Sequence, residues 1–320
     1  MPLPELHGII APVVLPMARD GAVDLRSLEC HVRHLVDAGV HGLWINGTTG
    51  EFHALDPQER AEAVRVAVKA ADGGAPVVAH VGDAATRLAV RHARAAVDAG
   101  AAQVAVIAPY FTEFTREELR EHYRQIAAAV GFPVYAYHMP RLTKVGLSAD
   151  CLLRLAQEDV LAGVKDSDGD LAWFRSLVRR SGQLGLRLRC FTGGSAITDL
   201  SLLVGAAGAA SSLANLTPRH LVALYDAARA GDWTRARHLQ DQLEDLNEAM
   251  RQARRTPTLA AVASTYKYLL ATLGRIDADC AAEPLARLDE GEKQRLTETV
   301  LPVIRALESA APAKERGDDT

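Results

Sequence analysis

Along this chain, short apolar runs rich in β-branched residues alternate with longer stretches of helical period. The runs cover residues 8–15, 42–45, 76–81, 104–108, 133–137, 163–165, 187–191 and 206–212. Between them, residues 27–38, 57–71, 84–99 and 116–130 repeat apolar positions three and four apart, with acids or a Ser, Thr or Asp cap near each start. Two helix ends share one design, Val36-Asp37-Ala38-Gly39 before Leu43-Trp44-Ile45 and Val97-Asp98-Ala99-Gly100 before Val104-Ala105-Val106. Gly39 and Gly100 are expected to close their helices in the left-handed conformation and turn the chain into the next strand.

Eight strand-then-helix units within roughly 220 residues are what a (β/α)8 TIM barrel requires, whereas an open doubly wound sheet usually stops at about five to seven strands. The eighth run contains only small residues and reads equally as a loop. Residues 218 to about 307 read as helix throughout, with breaks at Pro257, Gly274 and Gly291, and add helices that cap one side of the barrel or form a subunit contact. No Pro/Ser/Gly-rich linker intervenes. The expected organisation is a barrel over 1–225, a helical extension over 226–308, and a disordered tail over 309–320, whose small and charged residues have nothing to bury.

Composition narrows the partners. A net charge of −4 gives no basic footprint, and the arginines are spread along helices that also carry acids, so nucleic acid is not expected. No stretch reaches the roughly 18 clean apolar residues of a membrane span, and the first 20 residues lack a basic n-region and carry four prolines. Cys30, Cys151, Cys190 and Cys280 lie far apart without C-x-x-C spacing, which suits a reducing cytoplasm. His31 and His34 sit three apart on the first helix without a clustered carboxylate and read as a surface face, so neither a metal nor another cofactor is expected.

Active sites of such barrels lie where the strands end. Arginine outnumbers lysine by 30 to 6, yet the sixth run ends in Lys165. A desolvated amine, unlike a guanidinium, can lose its proton and attack a carbonyl carbon. A lysine that merely snorkels to solvent from a strand end is the alternative. The second run is followed by Asn46-Gly47-Thr48-Thr49-Gly50-Glu51, two hydroxyls between glycines, which suits either a carboxylate cradle or an ordinary capping turn. The fifth run places Tyr135 and Tyr137 on one face and Ala136 and His138 on the other. A phenol there can move a proton, and a neighbouring ammonium is expected to lower its pKa. An amine, a phenol and a carboxylate cradle at strand ends of one barrel are equipment for iminium chemistry on a 2-oxo acid.

The motifs Gly47-Thr48-Thr49-Gly50-Glu51, Tyr137-His138-Met139-Pro140, Gly163-Val164-Lys165-Asp166, Thr192-Gly193-Gly194 and Ala214-Asn215 resemble, in order and spacing, those of the dihydrodipicolinate synthase/N-acetylneuraminate lyase family of class I aldolases. The resemblance covers roughly residues 5–305. It implies a barrel with C-terminal helices, a homotetramer built as a dimer of dimers, and a pyruvate-type Schiff base formed without metal. It further implies Lys165 as the imine-forming lysine and Tyr137 as the proton-moving tyrosine. Thr48 and Thr49 would hold the 2-oxo acid carboxylate, with Thr49 also in the tyrosine's relay, while Ala210 closes over the pyruvyl group and Gly193 lies at the rim. Dihydrodipicolinate synthases carry a pattern similar to Tyr-Asn-x-Pro-x-Arg-Thr-Gly, whereas here Leu142 stands in the arginine's place, with Arg141 one residue early and Lys144 in place of the glycine. Phe111 holds the position of a tyrosine that those enzymes borrow across the dimer. These departures look closer to the lyase and sugar-acid aldolase branches, with Arg141, Ser167 and Ser195 setting the aldehyde partner. A carbon–carbon lyase acting on a 2-oxo-4-hydroxy acid is the leading expectation. A dehydratase of a keto-deoxy sugar acid, a dihydrodipicolinate synthase and a non-catalytic carboxylate-binding barrel stand as alternatives.

Overall fold

Strands that are apolar on both faces have to be covered on both, and the chain achieves this by closing its sheet and wrapping it in helices. The computed structural model describes residues 4–255 and 258–311, without the side chains of 259–261. In chain order the elements are β1 Gly8–Pro12, α1 Leu25–Asp37, β2 Gly42–Ile45, α2 Pro57–Ala71, β3 Val77–His80, α3 Thr86–Asp98, β4 Gln103–Ile107 and α4 Arg116–Val130. They continue with β5 Val134–His138, the one-turn α5 Pro140–Thr143, α6 Ala149–Gln157, β6 Leu161–Asp166, α7 Leu171–Gln183, β7 Arg189–Thr192, α8 Thr198–Leu203, β8 Gly208–Ala209 and α9 Pro218–Arg229. All eight strands pair in parallel in the order β1 to β8, and β8 pairs back onto β1. The expected (β/α)8 barrel is therefore the observed one.

Alternation along each strand divides the core in two. Ile9, Ala11, Leu43, Ile45, Val104, Val106, Val134 and Ala136 pack outward against the helices. Ile10, Trp44, Val78, Ala105, Ile107, Tyr135, Tyr137 and Phe191 fill the interior. Gly163 on β6 belongs to this inner register, where a Cβ would strike the Tyr135 ring and the Arg189 carbonyl. The left-handed glycines expected after α1 and α3 are present, Gly39 at φ 88° and Gly100 at φ 95°. After α1, Gly39 N–H donates to Val36 O at 2.9 Å and Val40 N–H to Leu35 O at 3.3 Å, so orphan carbonyls of the helix end are satisfied.

Several boundaries differ from the sequence reading. The run at 206–212 gives a ladder of only two residues, and Gly208 passes so close to the Gly8 backbone that no side chain fits between them. The expected division after residue 225 cuts through α9, the helix that covers the closing strands. Helix does not persist from 218 to 307. After α10 Trp233–Ala253 and α11 Leu259–Thr272, residues 273–289 leave the helical path before α12 Glu290–Arg295, a π-turn at 296–300 and α13 Leu301–Ala310. Cys280 in that segment bridges to Met17 after β1, which no helix there could do. The expected break at Pro257 lies outside the described residues. So do residues 312–320 of the expected tail, whose first two residues, Ser309 and Ala310, complete α13.

His31 is a further correction, since it faces inward with Leu28, Val32 and Leu35 and is wholly buried. Its Nε2 lies 2.9 Å from Asn215 Oδ1. Asn215 also accepts from Val14 N–H at 2.9 Å and donates to Pro12 O and Ser212 O, both at 2.8 Å. One side chain thus joins the end of β1, the chain after β8 and α1 at the seam where the barrel closes. Asn215→Ala strands these buried partners, and a loss of about 3 kcal/mol in urea-unfolding free energy is expected.

Candidate active site

The strand register itself brings the expected groups together. Tyr137 of β5 pairs with Lys165 of β6, which pairs with Phe191 of β7, so all three point to the interior at one level. Lys165 is 4% exposed, its Nζ 4.3 Å from the Tyr137 ring centroid and 4.9 Å from that of Trp44. Among the described residues no carboxylate lies within ion-pair distance of it. Burial alone pulls its pKa from 10.5 down to about 7, which leaves a large neutral fraction at neutral pH.

Tyr137 departs from expectation in one respect. Its pKa is raised rather than lowered, because burial dominates over the hydrogen bonds from its neighbours and the nearby amine carries little charge. The phenol is therefore protonated and ready to donate. Its hydroxyl lies 3.2 Å from Thr48 Oγ1 and 2.9 Å from Met139 Sδ. His80 of β3 sits edge-on to Tyr137 and is held neutral by burial, its Nδ1 2.9 Å from Asn46 O.

Of the two threonines it is Thr48, not Thr49, whose hydroxyl reaches Tyr137, and the Ser167 side chain also hydrogen-bonds the phenol. Residues Thr48–Gly50 form a 3-10 turn, in which successive side chains point roughly 120° apart, so only one of the two can face the phenol. Thr48, not the Thr49 expected in the tyrosine's relay, therefore stands beside the phenol, and Thr49 is half-buried next to it. Within this turn Gly50 and Phe52 N–H donate to Gly47 O and Glu51 N–H to Thr48 O, while Thr48 and Thr49 N–H have no partner inside the turn. Two backbone donors of this turn thus have no partner inside it, next to the hydroxyls of Thr48, which meets Tyr137, and Thr49.

The rim residues divide. Ala210 is buried in the interior cluster, with its N–H on Thr192 O at 2.7 Å. Gly193 N–H donates to Asp166 O at 2.5 Å, and a Cβ there would collide with Ser167 Oγ, so the glycine lets two rim loops touch. Arg141 is exposed and donates to Ser167 O at 3.2 Å, bridging the loops after β5 and β6. Ser195 is engaged by α10, where Gln240 donates to its carbonyl at 2.8 Å and Asn247 to its hydroxyl at 3.3 Å. Phe111 is 99% exposed at φ 86°, a strained conformation for an aromatic residue. It borders a cavity of about 620 Å³ shared with Thr48, Phe52, Tyr110 and Leu142. Lys165 and Tyr137 do not line that cavity, which meets their surroundings at Thr48 and at Ile107, the cross-strand partner of Tyr137.

Two features escaped the sequence reading. Trp44 shields the amine, a role that alternation around Leu43 and Ile45 could have signalled. On the outer face, His138 Nδ1 lies 2.9 Å from Asp166 Oδ1 and stacks on Trp173 at 4.5 Å, which clamps β5 to β6 directly behind Tyr137 and Lys165.

The family model described as the dihydrodipicolinate synthetase family matches residues 5–302. The chain belongs to the dihydrodipicolinate synthetase family. It is 38% identical to an uncharacterized DapA-like lyase of Halobacterium salinarum, covering 91% of this chain and 92% of that protein. It is 35% identical to a 4-hydroxy-tetrahydrodipicolinate synthase of Anaeromyxobacter, over 93% and 97% of the two chains. A prophage protein of E. coli K12 belonging to the dihydrodipicolinic acid synthase family, solved in complex with pyruvate, superposes with a TM-score of 0.85 at 29% identity, over 94% of this chain and 98% of that one. Members of this family are Schiff-base lyases and synthases, and this member is an enzyme of that family. Among the described residues, no helix is long and apolar enough to cross a membrane.

The buried amine has a stability consequence. Between pH 7 and 10.5 the unfolded chain holds a proton at Lys165 that the folded chain has lost, so this group destabilises the fold most below pH 7 and least above 10.5. Lys165→Met is expected to stabilise the protein by up to about 4 kcal/mol at pH 7. The gain should fade as pH rises toward 10.5 in urea unfolding. A pH-independent gain would contradict an amine held neutral by burial.

Proposed function

We propose that the protein is a class I aldolase. In this reading Lys165 forms a Schiff base with pyruvate or a related 2-oxo acid, and the enzyme cleaves, or in reverse condenses, a 2-oxo-4-hydroxy acid such as a 2-keto-3-deoxy sugar acid. The observation that carries the reading is the buried Lys165 amine, with its pKa near 7, beside a protonated Tyr137.

The neutral amine adds to C2 of the 2-oxo acid, whose carboxylate lies on the Thr48–Thr49 turn. Loss of water gives the iminium, a strong electron sink. The C4 hydroxyl then gives up its proton, the C3–C4 bond breaks toward the iminium, and an aldehyde leaves. The enamine that remains is protonated at C3 and hydrolysed, which frees pyruvate and restores the amine. Tyr137 supplies and removes these protons, with Thr48 as its neighbour in the relay. Met139 Sδ accepts a hydrogen bond from Tyr137 but has no proton to pass on, and Phe111 has no hydroxyl, so substrate hydroxyls and water complete the circuit.

A synthase reading is favoured by the name of the Anaeromyxobacter relative. Against it, the arginine position of the synthase pattern is Leu142, which lines the cavity, and Arg141 is engaged with the Ser167 carbonyl. A dehydratase uses the same iminium but expels the C4 hydroxyl as water. In a homotetramer built as a dimer of dimers, the cytoplasmic assembly that we propose with this reading, the exposed Phe111 is the residue that one protomer offers to its partner's mouth.

Incubation with pyruvate and borohydride is expected to add one reduced pyruvyl group at Lys165, seen by peptide mass spectrometry and absent in Lys165→Ala. Unmodified protein at saturating pyruvate refutes the reading. Tyr137→Phe should keep the adduct and lose about 10²- to 10⁴-fold in turnover. Release of an aldehyde from a 2-keto-3-deoxy acid marks the aldolase, while its consumption without aldehyde marks the dehydratase.

A further inference from the structure

Two charged side chains that the chemistry above does not use lie deeper than any other ion pair described. Lys267 of α11 is 0% exposed and Glu51, at the end of the Thr48–Thr49 turn, is 1% exposed, with 2.5 Å between Nζ and Oε1. The other carboxylate oxygen accepts from Ala282 N–H at 2.7 Å. Both oxygens of Glu51 are thus held from the C-terminal part of the chain, 216 and 231 residues away. Burying two charges is costly, and apolar side chains of similar volume would give as much cohesion. What the pair adds is direction.

That direction bears on the turn. Glu51 sits at φ 54°, ψ 37°, a left-handed conformation that joins the 3-10 turns Thr48–Gly50 and Phe52–Ala54. Its N–H donates to Thr48 O at 3.1 Å, so Glu51 cannot move without dragging Thr48, whose hydroxyl meets Tyr137. Helix α11 is itself anchored over the barrel mouth. Tyr266 OH lies 3.1 Å from Ser212 Oγ after β8, and Ser264 Oγ donates to Ala286 O at 2.7 Å.

We infer that Lys267 acts through Glu51 as a positioning residue for the carboxylate-binding turn, so that its own side chain sets affinity for the 2-oxo acid from behind that turn. This rests on the Schiff-base reading. The test measures the pyruvate concentration that gives half-maximal borohydride trapping in the full-length protein. K267M and E51M each leave one charge buried and alone, and both should melt below the parent. The double variant E51M/K267M removes both charges at similar volume and should recover most of that loss. Its half-saturation is nevertheless expected to rise at least roughly tenfold. Maximal adduct per chain should stay the same, because Lys165 is untouched.

A double variant that melts like the parent and traps at the parent's half-saturation overturns the inference, since a purely structural pair would behave that way. Should the double variant fail to fold, Glu51→Asp is read in the same way. It keeps both charges but shortens the tether by one methylene. A parent that gives no adduct at all brings down the Schiff-base reading itself, whereas a trapped parent with unshifted variants removes only the role assigned to Lys267.

Discussion

A lysine amine kept from water inside a closed barrel is the constraint that shapes the rest of this molecule. The rings of Trp44 and Tyr137 cover it, and no described carboxylate compensates it. Burial thereby does what an added base would do elsewhere, releasing the proton at the cost of folding free energy. That cost is tolerable because the surrounding structure is over-determined. The outer core packs strands on helices, the inner core fills the cylinder, and Asn215 holds the seam.

The same burial assigns opposite states to the two groups at the centre. Desolvation disfavours the charged form of each, so the lysine becomes neutral and the tyrosine stays protonated. A neutral amine and a protonated phenol arise from one environment, with neutral His80 beside them. The outer His138–Asp166 contact, clamped by Trp173, keeps the two strands that carry them in register. Tyr137 and Lys165 are cross-strand partners, so a slip of one residue would send one of them to the helix side.

Around this centre the molecule divides its tasks. Strands carry the buried amine and phenol, the 3-10 turn after β2 carries Thr48 and Thr49, and the loops after β5, β6 and β7 meet through Arg141, Ser167 and Gly193. The C-terminal part lies over the mouth, joined to it through Glu51–Lys267, Ser212–Tyr266 and the bridge between Met17 and Cys280. The helical extension read from the sequence is therefore part of the site's walls.

Local pattern alone determined the barrel, the shared face of Tyr135 and Tyr137, the left-handed Gly39 and Gly100 and the singular Lys165, because strand alternation, helix period and residue chemistry are properties of neighbouring residues. Tertiary structure alone decided the choice of Thr48 over Thr49, the burial of His31, the engagement of Ser195 by α10 and the pairing of Glu51 with Lys267. It also decided the pKa of Tyr137, which a nearby amine was expected to lower and burial instead raises. Each of these depends on what residues distant in the chain bring to one point in space. The turn's handedness and the local dielectric follow from packing, and no window of sequence contains them.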